Sequence, residues 1–225
     1  ATSTLYLNGM SVATATAGAV VSGAQIIQLG DDIVSATNRP FAGYIDDFRV
    51  YKNYALTAAD VTTLSGVSSW TPTPFQAVLP GGLTVQYNFE NNLNDSGPNG
   101  INLTGSSITA SSYTAGIVGN SCLFLNNPSG GTATQYVYVT STSLASAAMT
   151  FSFWIKFLNT STVQVFLGLA TSSTDAMRVY ITASGTITDE QSGLSSSVVL
   201  TANTWYHLVK TASANGSSIY INGQL

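Results

Sequence analysis

The sequence predicts an all-β protein: an antiparallel β-sandwich with one short helix. Short runs that alternate apolar and polar residues recur along the chain, and Gly, Asn and Ser separate them, as is typical of strands joined by turns. A helical pattern occurs at residues 56–61, where Thr57 can cap the helix and Asp60 fits its first turn. Many short strands with one helix pack as two sheets face to face.

Alternating runs predict one strand before this helix, at residues 41–51, and a series of strands after residue 80. The later strands are predicted at residues 84–89, 121–125, 135–140, 150–157, 163–169, 177–182, 197–200 and 205–210. Hydrophobic residues make up 44% of the chain, with 11 Tyr, 9 Phe and 3 Trp, which is enough to fill the core of one sandwich.

Charge and hydropathy exclude two classes of partner. The 6 basic residues, set against 10 acidic ones, cannot form a surface that neutralises several phosphates, so we predict no nucleic-acid partner. The apolar stretches are far shorter than the roughly 20 residues of a membrane-spanning helix, so we predict no membrane insertion. Cys122 is the single cysteine and lies in an apolar run, where we expect a buried thiol.

The sequence has no motif typical of a hydrolytic site, and we predict that the protein is not an enzyme. His207, the single histidine, shares a strand face with Trp205 and Val209, which indicates a hydrogen-bonded histidine in a sheet. No Gly-Xaa-Ser-Xaa-Gly motif occurs, and no two carboxylates lie two or four residues apart. The adjacent Asp189 and Glu190 point to opposite faces of an extended chain, and we expect both to be solvated.

One hairpin signal occurs near both ends of the chain. Residues 5–9, Leu-Tyr-Leu-Asn-Gly, are matched about one domain length later by residues 219–223, Ile-Tyr-Ile-Asn-Gly. Asn-Gly tolerates the positive φ angles of a tight hairpin turn. We therefore expect the chain to enter and leave a repeated unit at the same hairpin. Between these copies, residues 66–79 contain Thr-Pro-Thr-Pro, which favours an extended linker.

Ordered motifs run from this linker to the second hairpin signal. Residues 87–90 (Tyr-Asn-Phe-Glu), 94–100 (Asn-Asp-Ser-Gly-Pro-Asn-Gly) and 116–121 (Gly-Ile-Val-Gly-Asn-Ser) come first, and strand motifs follow at residues 136–139, 149–156, 205–209 and 219–223. One further motif precedes the linker, at residues 43–57 (Gly-Tyr-Ile-Asp-Asp-Phe-Arg-Val-Tyr-Lys-Asn-Tyr-Ala-Leu-Thr). The set resembles the laminin G-like family of concanavalin A-like jelly rolls, whose closing signature here appears first.

The resemblance implies a concanavalin A-like jelly roll and a divided chain. Residues 1–65 are then the closing strands of one laminin G-like repeat, residues 66–79 the linker, and residues 80–225 the opening strands of a second repeat in a tandem array. Two alternatives stay open. Residues 1–65 can be a permuted part of a single sandwich, or they can complete residues 80–225 of another copy, head to tail.

The candidate site is an acidic, amide-rich loop at residues 90–96. Its Glu90 and Asp95, together with Asp46 of the closing signature, are oxygen ligands of the kind that Ca²⁺ takes, so we predict a calcium site at these three residues. Asp46 alternates with Phe48 and Val50, which predicts an inward carboxylate that needs a cation or several hydrogen-bond donors.

Two interpretations without a metal also apply to these acidic residues. Asp46 can accept backbone hydrogen bonds, and Asp95 can form an Asx turn ahead of Gly97. Asp47 and Arg49 lie two residues apart on the other strand face, where we expect a surface ion pair with a structural role.

The resemblance favours a structural or adhesion module of a multi-domain surface protein, placed on a virion, a fibre or a cell surface. The partners expected are other copies of the module, other surface or capsid proteins, and glycans. A calcium-dependent carbohydrate-binding module is the first alternative, and a glycoside hydrolase is the second. The sequence assigns no ligand-binding residue, although Tyr113, Trp70, Tyr44, Asn126 and Asn127 are available for contact with a glycan.

Overall fold

A computed structural model describes residues 2–8, 10–16, 25–31, 39–52, 56, 58–65, 82–128, 131–144, 148–170, 176–213 and 216–222. Within these ranges the chain forms sixteen strands and one α-helix. The elements are β1 (Thr2–Asn8), β2 (Met10–Thr16), β3 (Gln25–Leu29), β4 (Gly43–Lys52), α1 (Ala58–Ser65), β5 (Leu83–Tyr87), β6 (Thr104–Ser106), β7 (Tyr113–Thr114), β8 (Cys122–Leu125), β9 (Tyr136–Ser141), β10 (Ala148–Phe157), β11 (Gln164–Ala170), β12 (Ala176–Ile181), β13 (Ile187–Asp189), β14 (Leu194–Ser195), β15 (Trp205–Ser213) and β16 (Gly216–Ile221).

Two seven-stranded sheets form the sandwich, and their ladders are antiparallel. Sheet I has the order β16-β15-β10-β4-β8-β7, with β5 also paired to β4. Sheet II has the order β14-β13-β12-β11-β3-β9-β6. The predicted all-β antiparallel sandwich with one short helix is confirmed. No helix in the described ranges is long and apolar enough to cross a membrane.

Strands from before residue 66 lie in the interior of both sheets. In sheet I, β4 pairs with β10 on one edge and with β8 and β5 on the other. In sheet II, β3 lies between β11 and β9. The segments on either side of residues 66–79 therefore share one sandwich within this chain. The predicted linker at residues 66–79 itself lies outside the described residues.

Aromatic side chains fill the space between the sheets. Phe41 meets the edges of Phe157 and Phe166, with ring centroids 5.3 Å and 6.4 Å away, and Phe48 lies 5.2 Å from Phe153. All five rings are completely buried. The odd-numbered positions of β10, from Met149 to Phe157, face this core, because they alternate with the residues of the outer face.

One ion pair crosses the core between the sheets. Lys210 Nζ of β15 lies 2.7 Å from Asp189 Oδ2 of β13, and both side chains are 0% exposed. Ser192 also donates its hydroxyl hydrogen to Asp189 Oδ2, at 2.6 Å. The expectation of a solvated Asp189 is therefore wrong, because a buried lysine from the opposite sheet neutralises it. Glu190 stays at the surface and pairs with Arg178.

A third, partial layer covers the outer face of sheet I. The backbone N–H of Leu56, just before helix α1, donates to Thr150 Oγ1 of β10 at 3.4 Å, and α1 lies against β1 and β2. The β1–β2 hairpin forms a two-stranded sheet of its own and lies against β15 and β16. Val209 and Tyr220 pair across β15 and β16 on this outer face and are only 0% and 1% exposed. The layer therefore buries apolar groups that a two-layer sandwich would expose.

Most predicted elements are present within a few residues, and one is wrong. Residues 197–200 form no strand, because Val199 is 61% exposed while the N–H of Leu200 bonds to the carbonyl of Gly185 at 2.8 Å. The strand of this region is β14, a little earlier. Helix α1 begins later than predicted and continues to Ser65, and its predicted cap, Thr57, lies outside the described residues.

Candidate functional site

A β-bulge at Asp47 decides where the acidic residues of β4 point. Asp47 has a φ of 48°, and the register with β10 shifts at this position. Asp46 therefore pairs with Trp154 on the outer face of sheet I, whereas Phe48 faces the core. The prediction that Asp46 shares the inward face of Phe48 and Val50 is wrong, because the extra residue of the bulge reverses the alternation.

Asp46 is nevertheless completely buried, because residues 116–121, the covering loop, fold over it. Its Oδ2 accepts the backbone N–H groups of Ile117 and Val118, both at 2.8 Å. A Cβ at Gly116 would lie 2.6 Å from this oxygen, so only glycine lets the loop approach. Oδ1 is buried without a hydrogen-bond partner. Burial raises the pKa of Asp46 to about 7, although the two backbone hydrogen bonds oppose the rise.

Glu90 binds the other end of the covering loop. Its Oε1 accepts the backbone N–H groups of Asn120 at 2.8 Å and Ser121 at 3.4 Å. Gly119, with a φ of 71°, lies directly against the carboxylate, where a side chain would collide with it. Asp46 and Glu90, which are far apart in sequence, thus hold one loop by successive backbone N–H groups.

Asp95 lies in a separate turn. Its Oδ1 accepts the N–H groups of Gly97 at 2.7 Å and Gln86 at 2.9 Å, and its Oδ2 accepts that of Ile101 at 2.9 Å. The interpretation of Asp95 as an Asx turn ahead of Gly97 is confirmed, as is the interpretation of Asp46 as an acceptor of backbone hydrogen bonds. Gln86 connects the two regions, because its Nε2 donates to Asp47 Oδ1 at 3.1 Å.

The three predicted calcium ligands contact different backbone groups. Among the described residues, no group of three or more acidic, histidine or cysteine side chains is placed to hold a metal ion. Both oxygens of Asp95 accept backbone N–H groups, two at Oδ1 and one at Oδ2. Calcium stays a prediction, and the oxygen that suits it best is the unpartnered Oδ1 of Asp46.

The expected ion pair beside Asp46 is present but is not at the surface. Arg49 Nη2 lies 2.9 Å from Asp47 Oδ2, and the two side chains are only 12% and 13% exposed. Burial raises the pKa of Asp47, and the guanidinium of Arg49 opposes that rise. The pair is therefore a partly buried element of the outer face of sheet I.

His207 lies on the same outer face, deep under the third layer. Its Nε2 is 3.0 Å from Ser152 Oγ, and its ring centroid is 5.2 Å from that of Trp154. The predicted hydrogen-bonded sheet histidine is confirmed. Burial lowers the pKa of His207 to about 3, so the ring is neutral at ordinary pH. With 3% of its surface exposed, it is out of reach of a substrate.

A trough on the outer face of sheet II is the feature that the sequence did not reveal. Successive pairings place Arg178, Gly168, Gln28 and Tyr138 in one row across β12, β11, β3 and β9. Directly paired residues point to the same face, so the row crosses the sheet from one side to the other. Gly168 and Gln28, the floor of this row, are both buried, so the exposed groups of the row are those at its two ends.

Tyrosines rise on both sides of this floor. On β9, Tyr136 and Tyr138 lie with ring centroids 6.1 Å apart. On β12, Tyr180 carries the guanidinium of Arg39 at 5.4 Å from its ring centroid. All four side chains are partly exposed. β9 and β12 are three strand spacings apart, so their backbones are separated by about 14 Å.

Polar groups complete the β12 side of the trough. Arg178 Nη2 donates to Glu190 Oε1 at 2.7 Å, and Arg39 Nη2 lies 3.8 Å from Glu190 Oε2. The trough thus combines aromatic faces with fixed hydrogen-bonding groups. Alternation does place Tyr136 and Tyr138 on one face of their strand, but no sequence signal shows that β3 lies between β9 and β11.

The glycan-contacting residues suggested by the sequence lie elsewhere. Tyr44 is on the outer face of sheet I, on the opposite side of the sandwich from the trough. Asn127 is buried and structural, since its Nδ2 donates to the carbonyl of Phe41 at 2.9 Å. Tyr113 is half-buried, Asn126 is exposed, and Trp70 lies outside the described residues.

Comparison with known proteins gives one match. The family model Laminin G 3, described as the concanavalin A-like lectin/glucanases superfamily, matches residues 1–62 and 130–225. These stretches contain Asp46 and the trough residues but leave out Glu90 and Asp95. No curated protein and no solved structure matches the chain.

Proposed function

Because the chain belongs to the concanavalin A-like lectin/glucanases superfamily, we propose that it is a non-enzymatic adhesion module that binds glycans in the trough of sheet II. The observation that carries the proposal is the pair of tyrosine-bearing strands on either side of a floor made of Gly168 and Gln28. The module belongs to a multi-domain surface protein on a virion, a fibre or a cell surface, where low charge and abundant Ser and Thr suit an exposed array.

The chemistry of the trough matches a sugar. A pyranose ring has an apolar C–H face, which packs on an aromatic ring, and a rim of hydroxyl groups, which need donors and acceptors. Tyr138 and Tyr180 offer partly exposed rings on opposite sides, and Arg178 offers hydrogen-bond donors beside them. The rigid antiparallel ladders fix all three positions before the ligand arrives, which lowers the entropic cost of binding.

The same geometry favours binding over hydrolysis. Glycoside hydrolysis requires two carboxyl groups on either side of the scissile bond. Among the described residues that line the trough there is one carboxylate, Glu190, and Arg178 and Arg39 hold it in place. We therefore propose that the sugar is bound and released unchanged.

A glycan array, followed by calorimetry with the best ligand, tests this function. We expect Tyr138→Ala to weaken binding by about tenfold, which corresponds to about 1.4 kcal/mol. Tyr180→Ala should weaken binding by a similar factor, because it removes the partly exposed ring on the opposite side of the trough. Both variants should melt as cooperatively as the wild type.

Tyr44→Ala is the matched control, since it removes a partly exposed tyrosine from the outer face of sheet I. It should bind the glycan as the wild type does. Wild-type affinity in both Tyr138→Ala and Tyr180→Ala would show that the trough is not the site, and loss of binding in Tyr44→Ala alone would place the site on sheet I. The absence of any glycan ligand on the array would contradict the function itself.

A further inference from the structure

The ion pair in the core holds an amine against a carboxyl group. Lys210 Nζ lies 2.7 Å from Asp189 Oδ2, and both side chains are 0% exposed. Lys210 is fixed within sheet I by its pairing with Phe151 and Ile219. Asp189 is the last residue of β13 in sheet II. Two different sheets therefore hold the two groups in contact, and such fixed proximity favours a reaction between them.

Both oxygens of the Asp189 carboxyl group accept hydrogen bonds from the turn that follows β13. Oδ1 accepts the backbone N–H of Gln191 at 3.2 Å, and Oδ2 accepts the hydroxyl hydrogen of Ser192 at 2.6 Å. These donors draw electron density away from the carboxyl carbon. The N–H of Gln191 is also placed to stabilise the negative charge that a nucleophile would create on Oδ1.

Burial favours the uncharged form of the amine. It lowers the pKa of Lys210, although the charge of Asp189 and the hydrogen bond to it oppose the fall. Transfer of one proton from the ammonium group to Asp189 Oδ2 leaves a neutral amine beside a neutral carboxylic acid, and neither group then carries a buried charge. The neutral amine has the free electron pair that a nucleophile requires.

We propose that Lys210 and Asp189 form an intramolecular amide bond after the chain has folded. Following the proton transfer, Lys210 Nζ attacks Asp189 Cγ, and the electron pair of the C=O bond moves to Oδ1. A second proton passes from the nitrogen to Oδ2, which leaves as water when its bond to Cγ breaks, and the C=O bond at Oδ1 forms again. The products are one amide and one water molecule, and the chain itself supplies every reacting group.

This bond joins the two sheets of the sandwich covalently. The chain has one cysteine, so an intrachain disulfide is not available for this purpose. An amide between β13 and β15 constrains the unfolded chain as a disulfide does, and it resists reduction. The reaction requires the folded contact and follows folding. Newly folded protein therefore contains the ion pair, and aged protein contains the amide.

Mass spectrometry of the intact full chain tests this proposal. The purified protein is kept folded at neutral pH and is sampled over several days. We expect a species lighter by the mass of one water molecule to accumulate, and its digest to contain a peptide in which Lys210 is joined to Asp189. Ser192→Ala should slow the reaction by about tenfold, because it removes a hydrogen-bond donor to the leaving oxygen.

Lys210→Arg is the matched control. Arginine keeps a cation beside Asp189, but its guanidinium group stays protonated and is not a nucleophile. This variant, and the wild type held unfolded in guanidinium chloride, should both keep the full mass. A folded wild type whose mass never changes would overturn the proposal, and so would a digest that places the lost water at other residues. Both of these outcomes are read from the wild type, so they do not depend on the folding of a variant.

Discussion

Asp46 and His207 are buried on the outer face of sheet I, and burial favours the neutral form of each. The pKa of Asp46 rises to about 7, and that of His207 falls to about 3. The charge of Arg49 adds to the effect on His207. Over a wide range of pH, both groups are therefore neutral in the folded protein and charged in the unfolded chain.

The two shifts act on stability in opposite directions. Between pH 3.8, the ordinary pKa of an aspartate, and about pH 7, the folded protein keeps a proton on Asp46 that the unfolded chain releases, so the free energy of unfolding falls as pH rises. Below pH 6.5, the unfolded chain protonates His207 while the folded protein does not, so the free energy of unfolding falls as pH falls. Between about pH 4 and 6.5 the two contributions offset each other.

Asp46→Asn should reveal the contribution of His207. Asparagine keeps an oxygen for the N–H groups of Ile117 and Val118 but carries no charge. We expect the variant to be about 1–3 kcal/mol more stable than the wild type at pH 8, and to lose stability from pH 6.5 to 4, where the wild type changes little. Urea unfolding across this range measures both effects.

Adding calcium to the wild type and to Asp46→Asn tests the predicted metal site. An ion at Asp46 Oδ1 would stabilise the charged carboxylate, raise the melting temperature of the wild type at pH 8, and leave Asp46→Asn unchanged. A melting temperature that neither calcium nor chelator alters would remove the predicted metal site. A variant whose stability follows the wild type at every pH would contradict the burial argument.

At the scale of elements, β4 shows how much of a strand the alternation of apolar and polar residues can predict. Alternation predicts this strand within two residues of its ends, because Ile45 and Val50 must reach the core. It does not locate the bulge at Asp47, although Ile45 and Val50, five residues apart, both face the core and so break the period of two. The bulge at Asp47 is the sole reason why Asp46 faces the outside of sheet I and not the core, as was predicted.

The ion pair between Asp189 of β13 and Lys210 of the opposite sheet could not be predicted from the sequence either. Asp189 stands beside Glu190, and adjacent acids are typical of loops. Its partner Lys210 lies 21 positions later in a strand with an otherwise apolar inward face. Only the three-dimensional structure shows that β13 and β15 bring the two charges together.

This pair gives a prediction about stability. Lys210→Met should lower the free energy of unfolding by about 3–5 kcal/mol, because it leaves the carboxylate of Asp189 buried without its cation. The double variant Lys210→Met/Asp189→Asn should recover most of the loss, since asparagine is neutral and still accepts the hydrogen bond from the Ser192 hydroxyl. Urea unfolding of both variants measures the difference, and equal stabilities would show that the pair is not coupled.

At the scale of the whole molecule, the fold class followed from the sequence but the partnership of its segments did not. Periodicity identifies strands, and the ordered motifs identify the jelly roll; neither states which chain supplies the neighbour of each strand. The structure places β4 between β10 and β8, and β3 between β11 and β9. Both strands are central, so their removal would divide each sheet in two.

Residues 1–65 and 80–225, produced separately, should therefore both fail to fold, and should form the sandwich when mixed. Without β4, the core side of β10 loses its neighbour Val50, and without β3, Leu167 and Leu169 of β11 lose Leu29 and Ile27. Near-ultraviolet circular dichroism should show fixed aromatic packing only in the mixture, with one cooperative melting transition at a ratio of one to one. If residues 80–225 melt cooperatively alone, the missing central strands are dispensable, and the two segments are separate modules as in the tandem array.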